Sequence, residues 1–297
     1  FCFSYVVPEA FIEHQDLVFD NPLPGVKKYY QSLHSEDITY LMGPSGAVRI
    51  GDSFSMGLTL YYHYRSFMRQ QHYFLEDTDG TFYQVFYESK KQREDGVMPK
   101  IGMQWSPWSL ITVGMALDQT FLINAPSQGD LSYHIADNTT STASQSTTMT
   151  RTKSEVKRKL PTHLAFGVAY FPTPSQLYTV DLDYYQAQEK GRADIMNYSG
   201  GTEYYLNPTN AVRFGLFTNY TNLPNTDSST VSPYEYIDIL GASLGYTSYS
   251  SSSSITLGAI YTYGSGKAWL YSGESKYTSR NMKRDSLTLL FSASSSL

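Results

Sequence analysis

The stretch Phe54-Ser-Met-Gly-Leu-Thr-Leu-Tyr-Tyr-His-Tyr-Arg65 reads with a period of two. Its even positions, Phe54, Met56, Leu58, Leu60, Tyr62 and Tyr64, are apolar or aromatic. Its odd positions, Ser55, Gly57, Thr59, Tyr61, His63 and Arg65, are mostly small or polar. Successive side chains of a strand point to opposite faces, so this alternation predicts a long strand with two different faces. The same period runs through Leu110 to Asp118, Thr162 to Tyr170, Tyr178 to Tyr184, Val212 to Tyr220, Leu240 to Thr247, Ile255 to Tyr263 and Leu287 to Phe291.

The second face identifies the surroundings of these strands. In a soluble sandwich the outer face carries Lys, Glu and Thr. Here it is rich in Gly, Ala, Ser and Thr, with lone charges such as Arg49, Arg65, Lys100, Asp118, Asp181, Asp183 and Arg213. Small residues with sparse charges suit the inside of a barrel of limited bore. Segments of this length match the ~9–11 residues with which a tilted strand crosses a bilayer. The expected fold is all-β: a transmembrane antiparallel up-and-down β-barrel of 12–14 strands. A soluble Tyr-rich sandwich makes the opposite prediction, with Phe54, Met56, Leu58 and Leu60 in a protein core.

Composition narrows the function classes. Among 297 residues only 16% are charged, against roughly 25% in ordinary soluble chains, while 15% are aromatic, with 27 Tyr. Mean hydropathy is −0.36, and no run approaches the ~20 apolar residues of a membrane helix. A net charge of −5 gives no reason to expect nucleic acid. The single Cys2 cannot form an internal disulfide, and the six His have no metal-ligand spacing. Gly264-Ser-Gly-Lys267 lacks the first glycine of a phosphate loop and opens no helix. Gly241-Ala-Ser-Leu-Gly245 has the spacing Gly-x-Ser-x-Gly, but it lies inside the alternating segment Leu240 to Thr247 and not at a strand-to-helix turn, so it is no nucleophile elbow. Asp181 and Asp183 fall on one face about 7 Å apart by strand rise, which reads as lumenal charge rather than a catalytic pair. The expectation is a non-enzyme without metal or cofactor.

Link lengths alternate, with one exception near Glu189–Gly191. Short links are expected at Gly51–Ser53, Ser106–Ser109, Phe171–Gln176, Asn207–Asn210 and Ser248–Ser254. Long ones are expected at 14–35, 67–96, 124–159, 221–235 and 264–284. Outer-membrane barrels pair short periplasmic turns with long extracellular loops. The expected organisation is therefore one barrel domain over 1–297, in a bacterial outer membrane, with both ends periplasmic. Residues 72–90 are expected as a hairpin rising from an extracellular loop. The Ser/Thr-rich stretch before Arg151, Lys153, Lys157, Arg158 and Lys159 reads as a mobile solvated loop; the alternative is that its cations bridge lipopolysaccharide phosphates. Pro8 and Met42-Gly43-Pro44-Ser45-Gly46 interrupt alternating segments. A ladder donor is lost at each Pro, so Pro8, Gly43 and Pro44 mark a bulge or an opening in the wall.

Leu160-Pro161-Thr162-His163-Leu164-Ala165-Phe166-Gly167-Val168-Ala169-Tyr170-Phe171-Pro172 resembles a strand of FadL-type outer-membrane transporters of long-chain fatty acids and hydrocarbons. Thr202–Asn207 with Ala211–Gly215, and Gly43–Ser45 with Arg49–Gly57, are similar to hairpins of the same family. Those transporters carry an N-terminal plug ahead of fourteen strands; two strands before Phe1 would restore that number. The terminal Leu287–Phe291 strand departs from the family by running on to Leu297.

The resemblance implies passive uptake of a hydrophobic, fatty acid-like small molecule. It would adsorb on a loop groove of Phe74, Leu75, Phe82, Tyr83 and Phe86. In the lumen its carboxylate would be held by Arg49, Lys100 or Arg213, and it would leave sideways near Pro8 or Gly43–Pro44. Each cation has an alternative role as the structural partner of Asp118, Asp181, Asp183 or Glu203. The rival class is a structural barrel that docks a partner protein or surface assembly.

Overall fold

The computed structural model describes residues 1–138, 144–189, 191–223, 236–271 and 277–295. They form β1 (Cys2–Leu23), β2 (Val26–Ile50), β3 (Phe54–Asp77), β4 (Phe82–Trp108), β5 (Ile111–Gln119), β6 (Phe121–Asn124), β7 (Pro126–Asp137), β8 (Ser144–Glu155), β9 (Thr162–Thr173), β10 (Gln176–Gln186), β11 (Ile195–Asn207), β12 (Asn210–Asn219), β13 (Tyr236–Tyr249), β14 (Ser253–Tyr271) and β15 (Tyr277–Ser295). No helix of the structure is long and apolar enough to cross a membrane.

Twelve strands follow one hydrogen-bonded order, β1-β2-β3-β4-β5-β9-β10-β11-β12-β13-β14-β15, while β6 and β7 pair with β4 and β8 pairs with β7. Sequence neighbours are almost everywhere ladder neighbours, as in a meander. Turns fall at 51–53, 109–110, 174–175, 208–209 and 250–252, inside or at the edges of the short links expected from sequence.

The long links differ from expectation. Residues 14–35 and 67–96 are not irregular: β1 and β2 pair out to Leu23↔Val26, and β3 and β4 run on to Asp77 and Phe82. Most of 124–159 is the β7–β8 hairpin. Cross-strand rings keep these extensions ordered, including His14–His34 at 4.2 Å, Phe19–Tyr29 at 6.2 Å and a stacked Tyr73–Phe86 pair at 4.5 Å. The expected link at 221–235 lies mostly outside the described residues, as does 272–276 within 264–284.

The chain divides into two compact units: 1–45, 59–99 and 120–159 in the first, and 46–58, 100–119 and 160–297 in the second. In the first unit β4 pairs with β6 and then, from Phe82 to Gln92, with β7. In the second unit β4 pairs with β5 from Lys100 to Trp108, and β9–β15 follow in sequence order.

Burial is reversed from that of a water-soluble fold. Met56, Leu58 and Leu60 are 43%, 55% and 51% exposed, and Phe166, Val180, Phe214, Leu216, Leu244, Leu257, Leu289 and Phe291 are exposed as well. The sandwich alternative, which buries the 54–60 face, fails at these positions. Each large apolar side chain left in water forgoes roughly 1.5–3 kcal/mol of burial. Dozens of such residues on one strand face are stable only against an apolar medium.

Candidate functional site

In the second unit the face opposite those apolar residues forms a cleft of about 800 Å³. Its lining is built from small side chains at alternate strand positions: Gly102, Gly114, Ala116, Ala165, Gly167 and Thr179. Asp181, Asp183 and Ser199 supply its polar wall. A Cβ at Gly167 would push the Asp181 carboxylate aside. Glycine thus lets the carboxylate lie flat across β9.

A charged row crosses this face in register. Lys100 opposes Asp118, and Asp118 opposes His163. Lys100 Nζ lies 3.2 Å from Asp118 Oδ2, which is 3.1 Å from His163 Nδ1; His163 Nε2 lies 2.9 Å from Asp183 Oδ1. The Tyr185 ring stacks on His163 at 4.3 Å and fixes the imidazole plane. Among the described residues Asp181 has no basic partner; Ser199 Oγ donates to it at 3.5 Å. The sequence reading named Lys100, Asp118, Asp181 and Asp183 but not His163 as a member of the row. The available signal was parity: His163 occupies the small-residue face of a strand that pairs with β5 and β10.

Arg213 is engaged on three sides. Its Nε donates to Glu203 Oε2 at 2.5 Å, its two terminal nitrogens to Thr247 Oγ1 at 2.5 Å and Tyr249 Oη at 2.8 Å. Tyr205 stacks on Tyr249 beside this group. Arg49 is exposed and donates to the Asp52 carbonyl in the 51–53 turn at 2.7 Å. The structure therefore does not bring Arg49, Lys100 and Arg213 together. Each has an internal partner, and for Lys100 and Arg213 it is the Asp118 and Glu203 named as alternatives.

The first unit holds a second polar centre. Glu94 is fully buried, and Arg65 reaches it at 2.9 Å while also gripping Asp37 with two bonds of 2.6 and 2.5 Å. Arg158, beyond the end of β8, donates to both Glu94 oxygens, at 2.9 and 3.0 Å, and Gln92 adds a bond of 3.0 Å. His63 is buried 3.8 Å from Glu94. A buried carboxylate is tolerated when cations and donors surround it in this way. Glu94 was not singled out from sequence, although it has the parity of the small-residue face.

The five expected groove residues separate. Alternation along β3 and β4 puts Phe74 and Tyr83 on one face, with ring centroids 6.4 Å apart. Leu75, Phe82 and Phe86 fall on the other, where Phe86 meets Tyr73 and, edge-on, Tyr133. Phe74 also lines a cleft of about 350 Å³ with Val18, Tyr30, His72 and Val85.

The expected wall break takes a different form at its two ends. Gly43 and Pro44 sit inside an unbroken ladder, opposite Ser4 and Phe3. A Cβ at Gly43 would lie 2.0 Å from the Leu60 carbonyl, so this glycine permits close passage of β3. Pro8 lies in a register shift between Val6 and Glu9, the bulge that a missing donor produces.

No protein-family model and no curated protein sequence matches the chain. Solved structures do. The monoaromatic hydrocarbon channel CymD aligns over 98% of this chain and 79% of its own, with a TM-score of 0.59 and 14% identity. A FadL homologue from Pseudomonas aeruginosa aligns over 98% of this chain and 73% of its own, with a TM-score of 0.55 and 12% identity. The chain thus shares the fold of these two proteins.

Proposed function

We propose that the chain is an outer-membrane β-barrel through which hydrophobic small molecules cross passively. The carrying observation is the pairing of two faces on the same strands: an exposed apolar face suited to lipid, and a small-residue face that leaves about 800 Å³ of open cleft. The two structural neighbours support the reading through their fold.

The polar groups favour neutral solutes over carboxylates. Asp181 and Asp183 line the cleft, while Lys100 and Arg213 are held by Asp118 and Glu203. A fatty acid would have to displace one of those partners before its carboxylate gained a cation, whereas a monoaromatic hydrocarbon needs no such exchange. On this reading Phe74 and Tyr83 adsorb the solute beyond the membrane, the Pro8 bulge marks its sideways exit, and both chain ends are periplasmic.

The test is solute flux through protein reconstituted in lipid vesicles, with toluene and a long-chain fatty acid compared. A Cβ at Gly114 meets no atom within 4 Å, so Gly114→Trp fills the cleft without disturbing the strands. The reading expects toluene flux several-fold above protein-free vesicles, and its loss in the variant. Equal flux in both proteins would place transport elsewhere.

A second reading, docking of a partner protein, draws on β8. Among the described residues that strand pairs with β7 alone, and it is exposed along its whole length. A photocrosslinking amino acid in place of Met149, which is 79% exposed, would trap such a partner in intact cells.

A further inference from the structure

The cations after the Ser/Thr-rich stretch are not equivalent. Arg151 is paired with Asp130 at 2.6 Å, Lys157 with Glu155 at 3.0 Å and Arg158 with Glu94. Lys153 makes no ion pair among the described residues, and neither does Lys91. The ladders bring these two together. Lys91 of β4 and Lys153 of β8 both oppose Gln128 of β7, one on each side. Two strand spacings separate them, about 10 Å. Like charges flanking one amide repel each other; the nearby carboxylate, Asp130, is bonded by Gln128 at 2.9 Å and already paired with Arg151.

They line a cleft of about 580 Å³, with Arg93, Ser66 and Gln128 beside them and Glu36 as its acidic group. Arg93 shares its charge with Asp95 at 2.9 Å. Its guanidinium also lies 5.1 Å from the centre of the Tyr64 ring, which fixes the cleft to the same strand face as Tyr64. That face has an order. Leu60 and Tyr62 are half-exposed, Tyr62 bonds Asp95, and Tyr64 packs on Tyr40 at 5.9 Å. Apolar residues give way to a band of tyrosines, and the cations come next. An aromatic band marks the level where hydrocarbon meets polar headgroups.

We propose that this cleft seats a phosphate-bearing headgroup of an outer-leaflet glycolipid, with Lys91 and Lys153 on the phosphate oxygens and Gln128 between them. The proposal rests on the outer-membrane reading above, since it takes the apolar face to lie in lipid. A lipid is favoured over free phosphate because the cleft opens on the face that carries the apolar residues and the tyrosine band, directly beyond them.

The experiment measures retention of bis-phosphorylated lipid A on the full chain by native mass spectrometry, against dephosphorylated lipid A and millimolar inorganic phosphate. Removing two cations next to an anionic lipid surface is expected to weaken retention roughly thirtyfold in a Lys91→Gln, Lys153→Gln double variant. Lys157→Gln, which removes a cation paired with Glu155, is expected to leave it unchanged, and dephosphorylated lipid A is expected to bind the wild type no better than bis-phosphorylated lipid A binds the double variant. Heat-shifted gel mobility confirms folding of each protein. Undiminished retention by the folded double variant overturns the site, and so does saturation by inorganic phosphate alone. Toluene flux in glycolipid-free bilayers reads the channel separately: flux lost with glycolipid retention intact overturns transport and leaves the headgroup site standing.

Discussion

Arg158 grips both carboxylate oxygens of Glu94 although 64 residues separate them in the chain. The contact fastens the segment after β8 to the buried end of a β4 row, where Arg65 and Asp37 complete the charge balance. Arg158→Ala leaves Glu94 with Arg65, Gln92 and the neighbouring His63. The expected loss is about 1–3 kcal/mol, the cost of stripping a donor from a buried charge, read as a lower thermal midpoint in detergent. Glu94→Ala should cost more, because Arg158 loses its partner and Arg65 keeps only Asp37. An unchanged midpoint in both variants would show that the cluster contributes nothing to stability.

Gly43→Ala puts a methyl group against the Leu60 carbonyl, a backbone atom that cannot rotate away. Overpacking of this kind costs typically 1–3 kcal/mol. We expect a lower yield of folded protein and a lower midpoint than for Gly114→Ala, where a Cβ meets open space. Comparison of the two alanine variants checks this.

Lys100→Gln removes the one lysine of the row that ends at Asp183. The cleft then carries one more uncompensated negative charge. Reversal potentials under a salt gradient should shift toward cations, and Asp181→Asn should shift them the other way. Identical selectivity in wild type and both variants would remove this face from the conduction path.

Beyond the tyrosine band, Arg151 and then Gln128 bond Asp130 and hold its carboxyl below the usual range. A depressed folded value means that the contribution is present above the unfolded value of about 3.9 and is lost as pH falls through the folded one. Protection of the β7–β8 amides relative to their intrinsic exchange should therefore fall below about pH 4, and Asp130→Asn should abolish that fall while leaving low protection at pH 7.

Much of the strand framework was legible because it depends on one-dimensional alternation. The 54–65 segment settles both the strand and its faces, and the short turns follow from where alternation pauses. A hairpin at 72–90 was legible, but not that strand runs on through most of 14–35 and 67–96. There the polar and aromatic residues alternate without a lipid-facing signal, and the ladder is held by ring pairs such as Tyr73–Phe86. Partners across strands were harder still. Parity places Arg213 and Glu203 on the same face, but only register puts them opposite each other. Glu94 and Arg158 meet through a segment with no strand pattern. The groove of five aromatic and aliphatic residues dissolved for the opposite reason: proximity in sequence was taken for proximity in space, and alternation sends neighbours to different faces.

The reversal of burial changes which inherited changes the protein can survive. In a water-soluble domain the surface is the permissive zone for new variants and the interior the guarded one. Here a Leu58→Lys change, on a face more than half exposed, carries a lysine toward hydrocarbon at about 2–4 kcal/mol near the bilayer midplane. Ala116→Ser, facing the cleft, adds only a hydroxyl to a wall that already holds several. Natural variation should accumulate from the inside outward, and an apparently harmless surface allele is the one to suspect.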